Sequence, residues 1–185
     1  MYIEEFNKTI CKELDKHHYI GLFSLCNLTS LISPFQSSPI SIIPKPGRPG
    51  KFRLVQNVSF PLKPSPNFPS PSINSSIRTD DFHTTWGKFS IIALLMAQLP
   101  PGLEAATRDV AEAYRSIPLN SFQWPSAIVR ANTDQFYLVT CLTFGASPSA
   151  GVYGHVANAG AEIMRSEGIG SLDKWVNDHI FFRVR

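Results

Sequence analysis

The residues best suited to chemistry are two acidic side chains that lie far apart in the sequence. Asp109 closes a predicted β-strand, and Asp178 lies beside Asn177 in a predicted tight turn near the end of the chain. Magnesium prefers carboxylate oxygen ligands, and phosphoryl transfer to a growing strand uses two such ions about 4 Å apart. If the turn pairs beside the strand, these side chains meet at one edge of a sheet and form a metal site.

Each position also has a purely structural interpretation. Asp109 and Glu112 form an Asp-x-x-Glu pattern, which is typical of a capping box at the start of a short helix. Asn177 and Asp178 are a common turn pair in β-hairpins because both residues tolerate left-handed backbone conformations. The functional interpretation therefore depends on the other motifs of the chain.

The N-terminal part predicts a helix followed by a basic hairpin. Apolar residues recur at helical spacing from Tyr2 to Lys16. Two β-rich runs, 40–44 and 52–55, flank a turn rich in Pro and Gly and so predict a β-hairpin. The tip of this hairpin holds four basic residues and no acidic one: Lys45, Arg48, Lys51 and Arg53. Such a tip is either a contact for a polyphosphate or a solvated basic loop.

An irregular connection and an apolar helix follow the hairpin. Residues 61–71 contain five prolines, each of which removes a backbone donor, so no regular element is expected there. Ser90 can cap a helix that continues to about Leu99 and stops at Pro100. Because this helix is apolar on all sides, it is expected to be buried.

The C-terminal half alternates strands with one long helix. Ser147 and Pro148 are a good helix start, and apolar residues continue on one face until Gly168. The predicted strands are 104–110, 127–131, 136–142, 172–176 and 180–184, the last two forming a hairpin with Asn177 and Asp178 at its tip.

Composition sets the broad class of the protein. The chain has 185 residues, of which 43% are hydrophobic, enough for one domain or for two lobes sharing a core. A net charge of +3 gives weak support for a polyanionic partner. Three cysteines without metal-ligand spacing argue against a disulfide framework. With neither a secretory signal nor an apolar run of about 20 residues, we expect an intracellular protein, in cytoplasm or nucleus, without a membrane partner.

Four segments in order resemble reverse transcriptases of retroelements. DVAEAYRSIPL, which begins at Asp109, resembles their A motif, and LTFGASPSAGVYG resembles their B motif. WVND, which ends at Asp178, is similar to their YxDD box with its first Asp replaced, and FRLVQN resembles the fingers segment before the A motif. The matching region runs from about Ser38 to the end of the chain. The segment SSPISIIPKPGRPGKFRLVQN, with SIN and TWG further along the chain, looks most like fungal retrotransposon polymerases.

The resemblance implies roles for particular residues. Asp109, the backbone carbonyl of Val110 and Asp178 would be metal ligands, for magnesium or manganese, with two ions in an intact site. Tyr114 would lie under the sugar of the incoming nucleotide and exclude a 2′-hydroxyl, unless it is a core aromatic. The remaining implied contacts to the deoxynucleoside triphosphate and the template are Lys51, Arg53, Phe144 and Gly145, although Gly145 also suits a turn before a helix.

Asn177 departs from the family pattern, because the family has a required metal-ligand Asp there. An amide oxygen is neutral, so the substitution removes one negative charge from between two dications. Losing one well-placed electrostatic group typically lowers a rate on the order of a hundredfold to a thousandfold. The sequence therefore predicts very low activity or none.

We expect an α/β (α+β) fold with two lobes: a fingers lobe over residues 1–100 and a palm over 101–185, whose antiparallel sheet is backed by helices. A thumb and an RNase H domain are expected to be absent, which leaves weak, salt-sensitive binding of an RNA or DNA template-primer. The expected function is RNA-directed DNA synthesis in an impaired retrotransposon remnant. The alternative is a module without enzymatic activity that binds nucleic acid or protein and uses the palm as a scaffold.

Overall fold

The computed structural model describes residues 2–84 and 86–183 of the chain. Within these ranges the α-helices are α1 (Ile3–Asp15), α2 (Leu25–Leu31), α3 (Phe89–Gln98) and α4 (Ser149–Ser166). The strands in the same ranges are β1 (Tyr19–Phe23), β2 (Ser37–Pro44), β3 (Phe52–Gln56), β4 (Glu104–Asp109), β5 (Ile128–Asn132), β6 (Gln135–Val139), β7 (Leu172–Trp175) and β8 (Asp178–Arg183). None of the helices in the described ranges is long and apolar enough to cross a membrane.

These elements form two compact units, each built from two stretches of the chain. The first unit comprises Met1–Arg78 and Tyr114–Ser149, and the second comprises Thr79–Ala113 and Ala150–Arg185. The predicted division into a fingers lobe and a palm lobe at residue 100 stays a prediction.

The first unit contains a five-stranded sheet in the order β1-β6-β5-β2-β3. Strands β2 and β5 run parallel, and the other neighbours are antiparallel. Alternate residues of β6 enter two apolar clusters, as the period of two in a strand requires. Tyr137 and Val139 pack with Ile10 of α1, whereas Phe136 and Leu138 pack with Leu28 of α2. Helices therefore cover this sheet on both faces.

The second unit contains a three-stranded antiparallel sheet in the order β4-β8-β7. The buried side chains Tyr153, Ala157 and Ala161 recur every four residues along α4 and so form one face of that helix. From α4, the Arg165 guanidinium donates to the Leu172 carbonyl of β7 over 3.4 Å. The chain thus has the predicted α+β fold, with sheets backed by helices.

The local elements agree with the sequence patterns in most places. The first helix, the basic hairpin, the irregular proline-rich stretch and the C-terminal hairpin are all present, with ends within a few residues of the predicted ones. Helix α4 begins at Ser149, two residues after the predicted cap at Ser147. The periodicity of apolar residues, together with Pro and Gly residues that end regular structure, was enough to predict these elements.

The predicted burial of α3 is wrong. No residue of this helix is buried, and Phe89 is 85% exposed. The cap prediction is also wrong, because Lys88 occupies the N-cap without a side-chain hydrogen bond and Ser90 lies inside the helix. An apolar pattern reports which environment a helix favours, whereas burial depends on what the rest of the chain places against it.

Two glycines of α4 give a matched test of packing in the second unit. A Cβ added at Gly151 would lie 2.5 Å from the backbone oxygen of Phe82, whereas one at Gly160 would meet nothing within 4 Å. Gly151→Ala should therefore reduce the free energy of unfolding by about 1–3 kcal/mol, because backbone atoms must move. Gly160→Ala should raise it by roughly 0.5–1 kcal/mol through helix propensity. Urea unfolding measures both, and equal effects of the two substitutions would contradict this packing.

Candidate functional site

The second unit brings both acidic residues to one end of its sheet. Asp109 is the last residue of β4, Asp178 is the first residue of β8, and the two are direct partners in the antiparallel register. Side chains of directly opposed residues lie on the same face with Cβ atoms about 4.5–5.5 Å apart. Both aspartates are exposed. We call this group, with Val110 and Asn177, the acidic edge.

The turn beside the acidic edge differs by one residue from the prediction. It consists of Val176 and Asn177, and Asp178 already belongs to β8, where it pairs with Trp175. Val176 takes a positive φ of 53°, which is uncommon for a β-branched residue. The shift matters because it places Asp178 in the strand opposite Asp109, with Asn177 just outside the ladder.

Asn177 contacts two of the atoms that the sequence predicts as metal ligands. Its side-chain nitrogen donates a hydrogen bond to Asp109 Oδ1 and another, over 3.5 Å, to the Val110 carbonyl oxygen. The Val110 amide in turn donates to the Asn177 carbonyl over 2.8 Å. An amide N–H group carries a partial positive charge, so it stabilises here the oxygens that a cation would otherwise bind.

The acidic edge carries fewer carboxylates than the sequence predicts for an intact two-metal site. It has two carboxylates and the Val110 carbonyl oxygen, which are of the hard oxygen type that magnesium and manganese prefer. Within residues 2–84 and 86–183, no group of three or more His, Cys, Asp or Glu side chains could hold a metal. An Asp at position 177 would supply the missing third carboxylate.

The predicted nucleotide-side residues Tyr114, Phe144 and Gly145 lie together in the first unit. The rings of Tyr114 and Phe144 are 4.7 Å apart between centroids, and burial raises the pKa of the Tyr114 hydroxyl. Gly145 has a φ of +102°, and an added Cβ would lie 3.0 Å from the Gln56 carbonyl oxygen. Both the conformation and the close approach require glycine at this position.

One asparagine that the sequence reasoning did not single out holds the loop after Phe144. The Asn74 side-chain nitrogen donates to the Gly145 carbonyl over 2.8 Å, and its side-chain oxygen accepts from the Ser147 amide over 2.9 Å. The same nitrogen also donates to Ser59 Oγ over 2.8 Å. Asn74 therefore ties the B-motif segment to the residues that follow β3. Its position in a short 3-10 helix gave no periodic signal.

The hairpin residues Lys51 and Arg53 belong to a strongly basic first unit. The ranges of this unit contain eleven Lys and Arg against five Asp and Glu, a net charge of +6, whereas the second unit has six against nine, a net charge of −3. No Asp or Glu occurs from residue 16 to residue 79. The total charge of +3 is therefore the sum of a cationic first unit and an anionic second unit.

A buried arginine next to Tyr114 was also missed. Arg115 lies in a 3-10 helix, its side chain is 8% exposed, and its guanidinium forms an ion pair with Glu13 of α1 at 3.5 Å. The same Glu13 oxygen lies 3.2 Å from His18 Nδ1, and Arg115 also lies over the ring of Tyr19, 5.5 Å from its centroid. Arg115 therefore links the A-motif segment to α1. No periodic pattern marked Arg115, because its segment mixes charged, polar and apolar residues.

Tyr19, which packs against Arg115, makes the stability of the first unit sensitive to alkaline pH. Its ring is 1% exposed, its hydroxyl accepts a 2.5 Å hydrogen bond from Gln56, and burial raises its pKa to about 12 from 10.0. The folded state thus favours the neutral phenol. The resulting stabilisation is complete below pH 10 and is lost as the pH rises from 10 to about 12. At pH 11 we expect the loss to be about 1.4 kcal/mol.

Urea unfolding at pH 8 and pH 11 checks this prediction. Tyr19→Phe should remove that part of the alkaline loss, whereas Tyr2→Phe, at a tyrosine that is 40% exposed, should retain it. Equal alkaline losses in Tyr19→Phe and the native chain would contradict the assigned origin.

Comparison with known proteins identifies the fold. The structure is similar to foamy viral protease-reverse transcriptase in complex with an RNA/DNA hybrid, with a TM-score of 0.64, 15% sequence identity and coverage of 96% of this chain. Native prototype foamy virus protease-reverse transcriptase matches with a TM-score of 0.58, 16% identity and 93% coverage. The chain has a reverse-transcriptase-like fold. A third match, the foamy viral protein in complex with dsDNA, has a TM-score of 0.59 and 17% identity over 95% of this chain.

The reverse-transcriptase-like region corresponds to a minor part of those viral proteins. The chain covers 19%, 18% and 30% of the three viral chains, respectively. No protein-family model matches the sequence, and no curated protein matches it significantly. The coarse prediction from the motifs, a reverse-transcriptase-like fold, is therefore confirmed by structure rather than by sequence similarity.

Proposed function

We propose that the chain is a reverse-transcriptase-like domain whose ancestral chemistry is RNA-directed DNA synthesis by two-metal phosphoryl transfer. The observation that carries this proposal is the direct pairing of Asp109 with Asp178 at an exposed sheet end within this fold. We further propose that residues 1–100 act as fingers and 101–185 as palm, that the source is a fungal-type retroelement, and that this copy is catalytically impaired.

In this proposal the acidic edge is where a magnesium or manganese ion would be held. Asp109 and Asp178 would supply carboxylate oxygens, and Val110 would supply its carbonyl oxygen. A bound ion would neutralise the charge that develops on the phosphates during transfer. The chain itself contributes the placement of Asp109 opposite Asp178, because the β4–β8 ladder fixes these two residues in register. Asn177 works against this role, since its amide donates to the ligand oxygens.

The basic first unit is proposed to contact nucleic acid and nucleotide. Lys51 and Arg53 lie on a hairpin in a stretch without acidic residues, and charge-assisted contacts of this kind suit a triphosphate or a phosphate backbone. Tyr114, packed against Phe144, would present its ring to the sugar of a deoxynucleoside triphosphate. The similar foamy viral proteins were solved in complex with RNA/DNA hybrid and with dsDNA, which supports an RNA or DNA template-primer as partner.

A second candidate function is a nucleic-acid-binding module without catalysis. One observation favours it specifically: the Asn177 side-chain amide hydrogen-bonds Asp109 and the Val110 carbonyl oxygen, which are two of the atoms that a metal ion would need. The net charge of +6 on the first unit would still provide affinity for a polyanion.

Primer extension on an RNA template distinguishes the two candidates. The assay compares the native chain with Asn177→Asp in magnesium and in manganese, at low salt because phosphate contacts are weakened by salt. Extension by the Asp variant alone supports an impaired polymerase. Extension by neither, together with retained binding of the template-primer, supports the binding module.

A further inference from the structure

A cavity in the first unit lies under the proline-rich stretch and has no role in the function proposed above. Its volume is about 170 Å³, and the lining residues that matter are Gln36, Phe60, Asn67, Phe68 and Arg130. The lining comes from the start of β2 and the residue before it, the loop after β3, and strand β5. The cavity is thus assembled from three separate parts of the unit.

The loop that forms the cavity is fixed by hydrogen bonds. Gln36 Nε2 donates to the Pro71 carbonyl over 2.6 Å. Ser65 and Phe68 exchange two backbone hydrogen bonds of 2.9 Å each, which closes a tight turn inside the loop. Five prolines in residues 61–71 further restrict the backbone. A ligand would therefore meet a largely preformed surface, which lowers the entropic cost of binding.

One wall of the cavity is aromatic. Phe60 and Phe68 pack edge to face, with ring centroids 4.8 Å apart and an interplanar angle of 78°. Phe68 is 39% exposed, so part of its side chain remains open to solvent. Exposed aromatic rings in a positive environment are the usual platforms for stacking of unpaired bases.

Arg130 on β5 adds a positive charge to the lining of the cavity. Among the residues that the structure describes, its guanidinium has neither a hydrogen bond nor an ion pair, and the residues that line the cavity include no Asp or Glu. An arginine without an acidic partner is a ready contact for a phosphate group, which it can bind in a bidentate manner.

We propose that this cavity binds single-stranded nucleic acid, with a phosphate on Arg130 and a base against Phe68. An acidic peptide would use Arg130 but gains little from a base-stacking platform, so the aromatic wall favours nucleic acid. The absence of acidic residues from 16 to 79 extends the favourable field around the cavity. The proposal rests on the nucleic-acid binding proposed above and adds a site separate from the basic hairpin.

Fluorescence anisotropy with a labelled ten-nucleotide oligodeoxythymidylate, over a series of KCl concentrations, tests the cavity. Arg130→Gln should weaken binding and reduce the slope of log affinity against log salt by about 0.7, as expected for one lost phosphate contact to a single strand. Phe68→Leu should weaken binding by roughly fivefold or more without changing that slope. Lys63→Gln is the matched control, because Lys63 is an exposed cation of the same loop that does not line the cavity.

Two results would refute nucleic-acid binding in the cavity. The first is equal loss of affinity in Arg130→Gln and Lys63→Gln with no effect of Phe68→Leu. The second is competition by polyglutamate as strong as competition by unlabelled oligonucleotide. The double variant Lys51→Gln/Arg53→Gln separates the two proposals. If only that variant loses binding, the hairpin contact is supported and the cavity site is refuted. If only the Arg130 and Phe68 variants lose binding, the cavity site is supported and the hairpin contact is refuted. No binding by the native chain refutes both.

Discussion

Replacing Asn177 by Asp should increase primer extension on an RNA template by at least about a hundredfold over the native chain. In the native structure the Asn177 amide donates to Asp109 and to the Val110 carbonyl, so it occupies two of the oxygens that the sequence predicts as metal ligands. An Asp at this position removes the donor and adds a third carboxylate beside Asp109 and Asp178. Electrostatic groups of this kind change rates by on the order of a hundredfold to a thousandfold.

Two further variants separate the added charge from the lost amide. Asn177→Ala removes the amide without adding a carboxylate and should remain as inactive as the native chain. Asn177→Asp combined with Asp109→Asn should return extension to the native level, because the carboxylates act as one group. Extension by Asn177→Asp no greater than by Asn177→Ala would refute the assigned role of the acidic edge.

Substitution of Glu13 by Leu should lower the free energy of unfolding by about 3–5 kcal/mol, the largest stability effect that we expect. The Glu13 and Arg115 side chains are only 17% and 8% exposed, and removal of Glu13 leaves the Arg115 charge largely buried without an acidic partner. A loss of this size is a large part of the total stability of an ordinary domain. Urea unfolding at neutral pH measures it directly.

The chain supplies a matched control in the same helix. Glu5 pairs with Lys8 at 3.9 Å, but their side chains are 42% and 63% exposed, so Glu5→Leu should change stability by less than about 1 kcal/mol. The double variant Glu13→Leu/Arg115→Met should recover part of the loss, because no buried charge then remains unpaired. Similar effects of Glu13→Leu and Glu5→Leu would show that the Glu13–Arg115 ion pair does not stabilise the packing of the A-motif segment against α1.

Local pattern was enough to predict most elements. The meeting of Asp109 with Asp178 was an expectation from the motif resemblance, and the antiparallel register of β4 and β8 places the two residues opposite each other. What the sequence could not supply were contacts between distant segments. The parallel pairing of β2 with β5, the Glu13–Arg115 ion pair and the exposure of α3 each depend on which distant segment of the chain is adjacent. Periodicity within a segment carries no such information.

The hydrogen bonds of Asn177 at the acidic edge could not be predicted from the sequence either. The motif resemblance identified Asn177 as the residue that departs from the family and predicted a lost charge. It did not predict that the amide would donate to the very oxygens predicted as ligands, which depends on the one-residue shift of the turn to Val176 and Asn177. A shift of one residue moves a side chain to the other face of a strand, so turn register decides such contacts.

Direct titration with manganese, followed by electron paramagnetic resonance of the free ion, tests the acidic edge independently of any polymerase activity. We predict that Asn177→Asp binds manganese at least tenfold more tightly than the native chain, and that adding Asp109→Asn or Asp178→Asn abolishes this gain. Equal affinities in all four proteins would contradict the account, because the carboxylates at 109, 177 and 178 would then not form a common site.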